Sequence, residues 1–310
     1  MSVERQKVRF VSGDEECVAW HYPGANGACV IMAGGFGVPK EPGTDRFAKR
    51  FNEAGFAVLA FDYRRMGESG GQPRQVLPVT DQLADWQAAI GFARTLPGVN
   101  PASIAVWGFS ASGGHVFKVA ARNPDLAAAI AQAPLADGLA AAPSASRYQK
   151  PLAALRFTGR GLLDTLGGVV GRRPLLVPLC GEPGTVAFLT TPDSRDSDRG
   201  LRRDKYPDWQ QEVAARSLLR LAFYRPGRVA SRVRCPLLVV ACDQDQSALP
   251  GPAVRAARQA PRAELVRLPG GHYAPFLEAH EQAFDSELSF LRRHLLSESQ
   301  VDRPGKESAA

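Results

Sequence analysis

The sequence predicts an α/β fold: a mostly parallel central sheet with helices on both faces and a segment inserted into it. Three observations point there. Short apolar runs alternate with helical stretches as far as Gln132, the alternation stops between Asp137 and Arg232, and it resumes at Pro236. Strands buried on both faces read as unbroken apolar runs, and parallel neighbours need helical crossovers, so this rhythm is what such a sheet writes into a chain.

Val8 to Val11 and Val18 to Tyr22 read as an antiparallel hairpin around the turn-rich Ser12-Gly13-Asp14-Glu15. Cys29 to Ala33 is a compact apolar strand, Thr44 is placed to cap a helix ending near Gly55, and Ala57 to Tyr63 is the next strand. A helix from Thr80 or Asp81 to about Leu96 leads to the strand Ile104 to Trp107, the helix Ala111 to Ala121 and the strand Ala127 to Gln132. The insertion is punctuated by Gly and Pro, turns charged from Thr190 to Asp204 and ends in a helix around Glu212 to Tyr224. After it come the strand Pro236 to Cys242, the helix Pro252 to Ala260, the strand Ala263 to Leu268 and a long helix from Glu278 to Leu295. The expected organisation is therefore a core in two parts, 1–136 and 233–297, a cap at 137–232 and a polar tail at 298–310.

Composition narrows the function. Of 310 residues, 45% are apolar and 22% charged, the balance of a globular domain, and no apolar run approaches the about 18 residues that span a bilayer. The net charge of +7 is spread along the chain without a basic block, which argues against a nucleic-acid partner and leaves steering of an acidic substrate as its mildest use. A polar start from Met1 to Phe10 gives no secretory signal, so a cytoplasmic location is expected, with no membrane partner. The five cysteines form no C-x-x-C spacing and the five histidines are scattered, so neither a metal nor any other cofactor is expected; Cys29, Cys235 and Cys242 fall in strand-like runs as free core thiols.

The sharpest local signal is Ile104-Ala-Val-Trp-Gly108-Phe-Ser110-Ala-Ser112-Gly-Gly-His115, a buried strand turning tightly into a helix. Such a turn lifts one serine hydroxyl above the strand ends and needs small residues two before and two after it, here Gly108 and Ser112. Ser112 is a rival nucleophile, but Ser110 is the one that follows the strand's end. Gly67-Glu68-Ser69-Gly70-Gly71 offers a similar string without a flanking strand and helix, and reads as a turn.

A serine hydroxyl needs a base, and the base needs an orienting carboxylate. Past the strand ending at Cys242 come Asp243, Gln244 and Asp245; past the strand ending at Leu268 comes His272, flanked by Gly270 and Gly271. Both sit beyond strand C-termini, where open sheets build their sites, in the chain order Ser, Asp, His. Asp245 is preferred over Asp243 for its distance from the strand, with Asp137 a third position; His21, His115, His280 and His294 lack this context. Backbone N–H groups of Ala111 and of Phe36, in Gly34-Gly35-Phe36-Gly37, are the candidate oxyanion donors.

Three stretches, Ala33-Gly-Gly-Phe-Gly37, Phe61-Asp-Tyr-Arg-Arg-Met-Gly-Glu-Ser-Gly-Gly-Gln-Pro-Arg-Gln75 and Trp107 to His115, with the Asp245 and His272 segments, resemble α/β-hydrolases of the dienelactone-hydrolase-like type. That branch includes fungal polyketide transferases and actinobacterial hydrolases. The resemblance implies the α/β-hydrolase fold, with Ser110 as nucleophile, Asp245 as acid, His272 as base, and Phe36 with Ala111 as oxyanion donors. Many relatives carry His-Gly where this chain has Gly34-Gly35. The expected activity is cleavage of an ester or thioester, lactones included, of a small hydrophobic acyl substrate through an acyl-serine. Transfer of a polyketide-like acyl group to another acceptor, a lyase or cyclase reaction, and a binding protein on the same scaffold are the alternatives. Phe157, Leu162, Phe188, Leu189 and Phe223 are the cap residues expected to line the acyl pocket.

Overall fold

The computed structural model describes residues 4–296. The expected tail at 298–310 lies outside the described residues. In chain order the elements are β1 (Gln6–Ser12), β2 (Glu15–Tyr22), β3 (Cys29–Ala33), α1 (Lys40–Glu53), β4 (Ala57–Phe61), α2 (Val79–Ala93), β5 (Ile104–Phe109), α3 (Ala111–Arg122) and β6 (Ala128–Gln132). Between β6 and the returning core lie α4 (Gly138–Arg147), α5 (Pro151–Val169), β7 (Leu176–Pro178), α6 (Ser197–Gly200), β8 (Glu212–Ala214) and α7 (Ala215–Ala222). Then follow β9 (Leu237–Cys242), α8 (Pro250–Gln259), β10 (Ala263–Leu268) and α9 (His280–Leu295).

Eight strands form one sheet in the order β1-β2-β4-β3-β5-β6-β9-β10. β1 and β2 are antiparallel, β2 meets β4 antiparallel, and every later pairing is parallel. Each of β3, β4, β5, β6 and β9 is buried at every position, which is why these segments are apolar without alternation. Residues from α2, α3 and α8 pack one face and residues from α1 and α9 the other. From β3 the chain winds to β4 on one side, then places β5 on the other, so the loops leaving β3 and β5 meet at the switch point where open sheets hold their ligands.

Three expectations change. α1 starts at Lys40, not after Thr44, because Pro42 is tolerated in a first turn whose N–H groups have no intrahelical acceptor; the Thr44 hydroxyl donates to the Lys40 carbonyl inside the helix. The helix expected from Glu212 is the strand β8 followed by α7, with β8 pairing β7 in a separate antiparallel ribbon. α5, which no sequence signal marked, runs through Gly159, Gly161, Gly167 and Gly168. It turns Leu155, Leu162, Leu166 and Val169 toward solvent. Asp164 on its inner side is fully buried and receives both the backbone N–H and the guanidinium of Arg216 at 2.8–2.9 Å. Among the described residues no helix is long and apolar enough to cross a membrane.

Candidate active site

β5 delivers the chain to Ser110 in a left-handed conformation, φ 58° and ψ −118°, directly before α3. Such strain costs about 1–3 kcal/mol and persists only where the surroundings impose it. Here the Ser110 N–H donates to the Gln132 carbonyl at 3.0 Å, and the Ser110 carbonyl accepts from Gly114 and Leu135 at 2.9 Å each. Gly108 is obligatory, since a Cβ there would lie 2.4 Å from the Ser112 carbonyl oxygen. Ser110 keeps part of its surface accessible, whereas Ser112 is buried. The Ser112 hydroxyl belongs to a chain in which the Trp86 indole N–H donates to Tyr63 Oη at 2.8 Å, Tyr63 Oη lies 2.6 Å from Ser112 Oγ, and Ser112 donates to the Gly34 carbonyl. The rival serine thus braces the loop after β3 and has no base beside it.

The loops after β9 and β10 bring their groups to the same place. The Ser110 hydroxyl donates to His272 Nε2 at 2.9 Å, and the His272 Nδ1–H donates to Asp245 Oδ2 at 2.7 Å. Asp245 Oδ1 accepts the Ala248 N–H at 2.6 Å, and both His272 and Asp245 are buried. Asp243 instead pairs with Arg267 at the surface, and Asp137 pairs with Arg225. Phe109 packs its ring 4.9 Å from the imidazole and limits its tilt. Burial pushes the His272 pKa down, but the charge of Asp245, its hydrogen bond and then the charge of Asp193 outweigh this and raise it above the ordinary histidine value.

Gly35 sits against the serine: a Cβ on it would touch the Ser110 Cβ at 3.4 Å. Phe36 follows, buried, its ring 5.9 Å from that of Phe188. The Ala111 N–H opens α3 and has no intrahelical acceptor. Phe36 thus stands in the loop after β3, next to the glycine that touches Ser110, and Ala111 at the first position of α3.

Asp193, which no sequence signal singled out, comes from the segment between β7 and β8. Its Oδ2 accepts the backbone N–H of Gln246 at 2.8 Å, of Ser247 at 3.3 Å and of His272 at 3.2 Å, and its Oδ1 accepts the Ser247 hydroxyl at 2.8 Å. One buried carboxylate therefore ties the turn after Asp245 to the loop of His272. Burial opposes its charge, but the imidazole and these donors hold its pKa below the usual carboxylate range.

A cavity of about 320 Å³ adjoins this arrangement, walled by α4, α5, α7, residues 187–191 and Gln246 with Ser247. Ser110 and His272 stand outside the wall, but Leu135, whose N–H bonds the Ser110 carbonyl, and Phe188, whose ring packs at a tilt against Phe36, are part of it. Phe157, Phe188 and Leu189 line it. Leu162 and Phe223 do not: they are 55% and 72% exposed, on the outward side of α5 and at the end of α7. Their apolar character reports no inward face. The free cysteines Cys29, Cys235 and Cys242 are buried, and among the described residues no His, Cys, Asp or Glu cluster is arranged to hold a metal.

A family model described as "Serine aminopeptidase, S33" matches residues 26–279. The chain is 37% identical over 292 residues to the quorum-quenching protein AidA of Acinetobacter baumannii (strain MDR-ZJ06), covering 92% of this chain and 94% of that one. It is 27% identical over 220 residues to thiohydrolase apmlB of Arthrinium phaeospermum, with 67% and 68% of the two chains covered. To the polyketide transferase grgF of Penicillium sp. it is 30% identical over 187 residues, 60% of either chain. Among solved structures, the α/β hydrolase GrgF from Penicillium sp. sh18 superposes with a TM-score of 0.78 at 24% identity, covering 94% of this chain and 99% of that one.

Proposed function

Because the chain belongs to the serine aminopeptidase S33 family of α/β-hydrolases, and is an enzyme of hydrolase type, we propose that it cleaves an ester or thioester, lactones included, of a hydrophobic acyl group through an acyl-serine on Ser110. The observation that carries this reading is the unbroken hydrogen-bonded line from Ser110 through His272 to Asp245, at 2.9 and 2.7 Å.

In the first step His272 Nε2 takes the hydroxyl proton as Ser110 Oγ attacks the carbonyl carbon, and Asp245 steadies the imidazolium. The carbonyl oxygen gains negative charge, which the Phe36 and Ala111 N–H groups stabilise by several kcal/mol. The imidazolium then gives its proton to the departing alkoxide or thiolate as the acyl-serine forms. Water, deprotonated by His272, attacks the acyl-serine; as the bond to Ser110 Oγ breaks, the imidazolium returns its proton to that oxygen, and the acid leaves. The acyl chain rests in the cavity beside Phe157, Phe188 and Leu189.

Transfer of the acyl group to an alcohol, amine or thiol is the second reading, favoured by the likeness to a protein named as a polyketide transferase. Product analysis in the presence of a competing nucleophile separates the two.

Intact-mass analysis after treatment with a fluorophosphonate should place one adduct on Ser110. Ser110→Ala should lower kcat/KM on p-nitrophenyl esters by at least about 10³-fold, and a loss well below a hundredfold would overturn the nucleophile. Activity should rise with pH as His272 loses its proton. The midpoint belongs above the ordinary histidine value of about 6.5 because Asp245 and Asp193 favour the charged ring. A flat profile through that range would remove His272 as base.

A further inference from the structure

The loop between β3 and α1 opens with two glycines, Gly34 and Gly35, and carries the Phe36 N–H that the proposed mechanism sets against the oxyanion. Adjacent glycines leave a backbone soft. A side chain cannot stiffen this one from within, since a Cβ on Gly34 would lie 2.9 Å from the Val38 carbonyl oxygen and 3.3 Å from the Gly43 Cα. The stiffness comes from hydrogen bonds to its carbonyls. Gly35 accepts the Val38 N–H at 3.1 Å, Gly37 accepts the Trp209 indole N–H at 2.9 Å, and Gly34 accepts the Ser112 hydroxyl.

The bond from Ser112 ends a buried chain whose direction is fixed. An indole N–H can only donate, and a backbone carbonyl can only accept. Trp86 therefore donates to Tyr63 Oη at 2.8 Å and Ser112 gives its single proton to Gly34, which leaves the Tyr63 hydroxyl as the donor to Ser112 Oγ at 2.6 Å. All three side chains are buried, and burial pushes the Tyr63 pKa up, so the phenol keeps the proton it donates. Neither hydroxyl is free to rotate. Ser112 also stands on the first turn of α3, two residues past the nucleophile, so the elbow itself carries the brace.

We propose that Ser112 is a positioning residue for the oxyanion loop: oriented by Tyr63 and Trp86, its hydroxyl fixes the peptide joining Gly34 to Gly35 and thereby the aim of the Phe36 N–H. The proposal rests on the reading of Ser110 as nucleophile and of the Phe36 N–H as oxyanion donor, and it adds a residue that never touches the reacting atoms. Two peptide units meet at the Gly35 Cα. Ser112 holds the first, and Val38 holds the second, which contains the Phe36 N–H. Without the first hold, the second can swing about Gly35. The cost falls on the transition state, where the substrate oxygen is charged and the direction of its donors matters most. Alanine or glycine at position 112 would still suit the tight turn but would leave the Gly34 carbonyl and the Tyr63 hydroxyl unpaired.

The test takes Ser112→Ala, Tyr63→Phe and the double variant, with p-nitrophenyl hexanoate as substrate. Two inhibitors of the same chain length accompany it: a trifluoromethyl ketone, which forms a tetrahedral oxyanion adduct on Ser110, and the matching secondary alcohol, which binds without an adduct. In Ser112→Ala kcat/KM should fall roughly ten- to thirtyfold, part of the about hundredfold or more that loss of a whole oxyanion donor costs. The inhibition constant of the ketone should rise by a similar factor, and that of the alcohol should stay. Tyr63→Phe should lose roughly threefold, and the double variant should be no slower than Ser112→Ala, because both residues act through one chain. Inhibition constants do not depend on how much of the enzyme is folded. Should Ser112→Ala fail to fold, Ser112→Gly takes its place.

Equal weakening of the ketone and the alcohol would make Ser112 a support of the fold and overturn the proposal. An unchanged kcat/KM in Ser112→Ala overturns it as well, as does a double variant slowed by the product of the two single losses. In each of these cases the wild-type enzyme still turns over the ester and takes the fluorophosphonate on Ser110. If it does neither, the underlying reading of Ser110 fails, and this one with it.

Discussion

The sheet and the segment inserted between β6 and β9 are held together by different means. Strands β3, β4, β5, β6 and β9 are buried at every position, and apolar burial on both faces holds them in place. The insertion shares an apolar cluster with the sheet through Val177, Leu179, Val213, Leu218 and Leu221 but leaves the outward side of α5 exposed, and beyond that packing it relies on directed polar ties: Asp164 to Arg216 and Asp137 to Arg225 within it, and Asp193 across to the loops of Asp245 and His272. A core secured by many small contacts resists change everywhere by similar amounts. A region secured by a few directed contacts is sensitive at those and indifferent elsewhere.

That contrast can be broken in three places. The largest effect is expected at the C-terminal end of the central strand β5, where the elbow leaves no room. Gly108→Ala forces a methyl group into the Ser112 carbonyl and should lower kcat/KM on an ester by about 10³-fold through misplacement of Ser110. Near wild-type turnover would mean that the turn can relax. Second comes the insertion's tie to the candidate site. Asp193→Asn keeps the shape and removes the charge, so kcat/KM should fall roughly tenfold, the value of one hydrogen bond to a charged acceptor. The pH midpoint should fall too, because the neutral amide no longer favours the protonated His272 ring. A rate loss with an unmoved midpoint would reduce Asp193 to a structural strut. The smallest effect belongs to the outward face of α5: Leu162→Ser at a site 55% exposed should change stability by less than about 0.5 kcal/mol in a denaturant titration. A shift beyond about 1 kcal/mol would show that this face is covered in solution.

The same contrast explains how much of the fold and of the candidate site is legible in the sequence. The parallel strands were legible because five buried strands leave five apolar runs. Ser110 and His272 were legible because their constraints are local: a glycine two positions before the serine, and glycines before the histidine at the end of a strand. Asp245 and Asp243 shared one turn, and only the direction of each side chain, one toward His272 and one toward Arg267, separates them. α5 was hidden by its four glycines and by an apolar face that meets solvent, the reverse of the usual helical pattern. Leu162 sits on that face, and Phe223, at the end of α7, is likewise an apolar side chain that meets solvent, so hydrophobicity marks no inward position for either. Asp193 lies 79 residues from His272 and 53 from Gln246 in the chain, and no local rule links an aspartate to backbone N–H groups so far away.

Asp193 bears on how such an enzyme changes its diet. Residues 187–191 wall the cavity, and Asp193 follows them almost at once on the same stretch of chain. Remodelling that stretch to admit a bulkier acyl group would drag on the carboxylate that steadies the imidazole loop. On the proposed function, selectivity and speed are geared to each other. A transplanted lid would bring a new pocket but a slack base, unless it also delivered an acid to the same three amides.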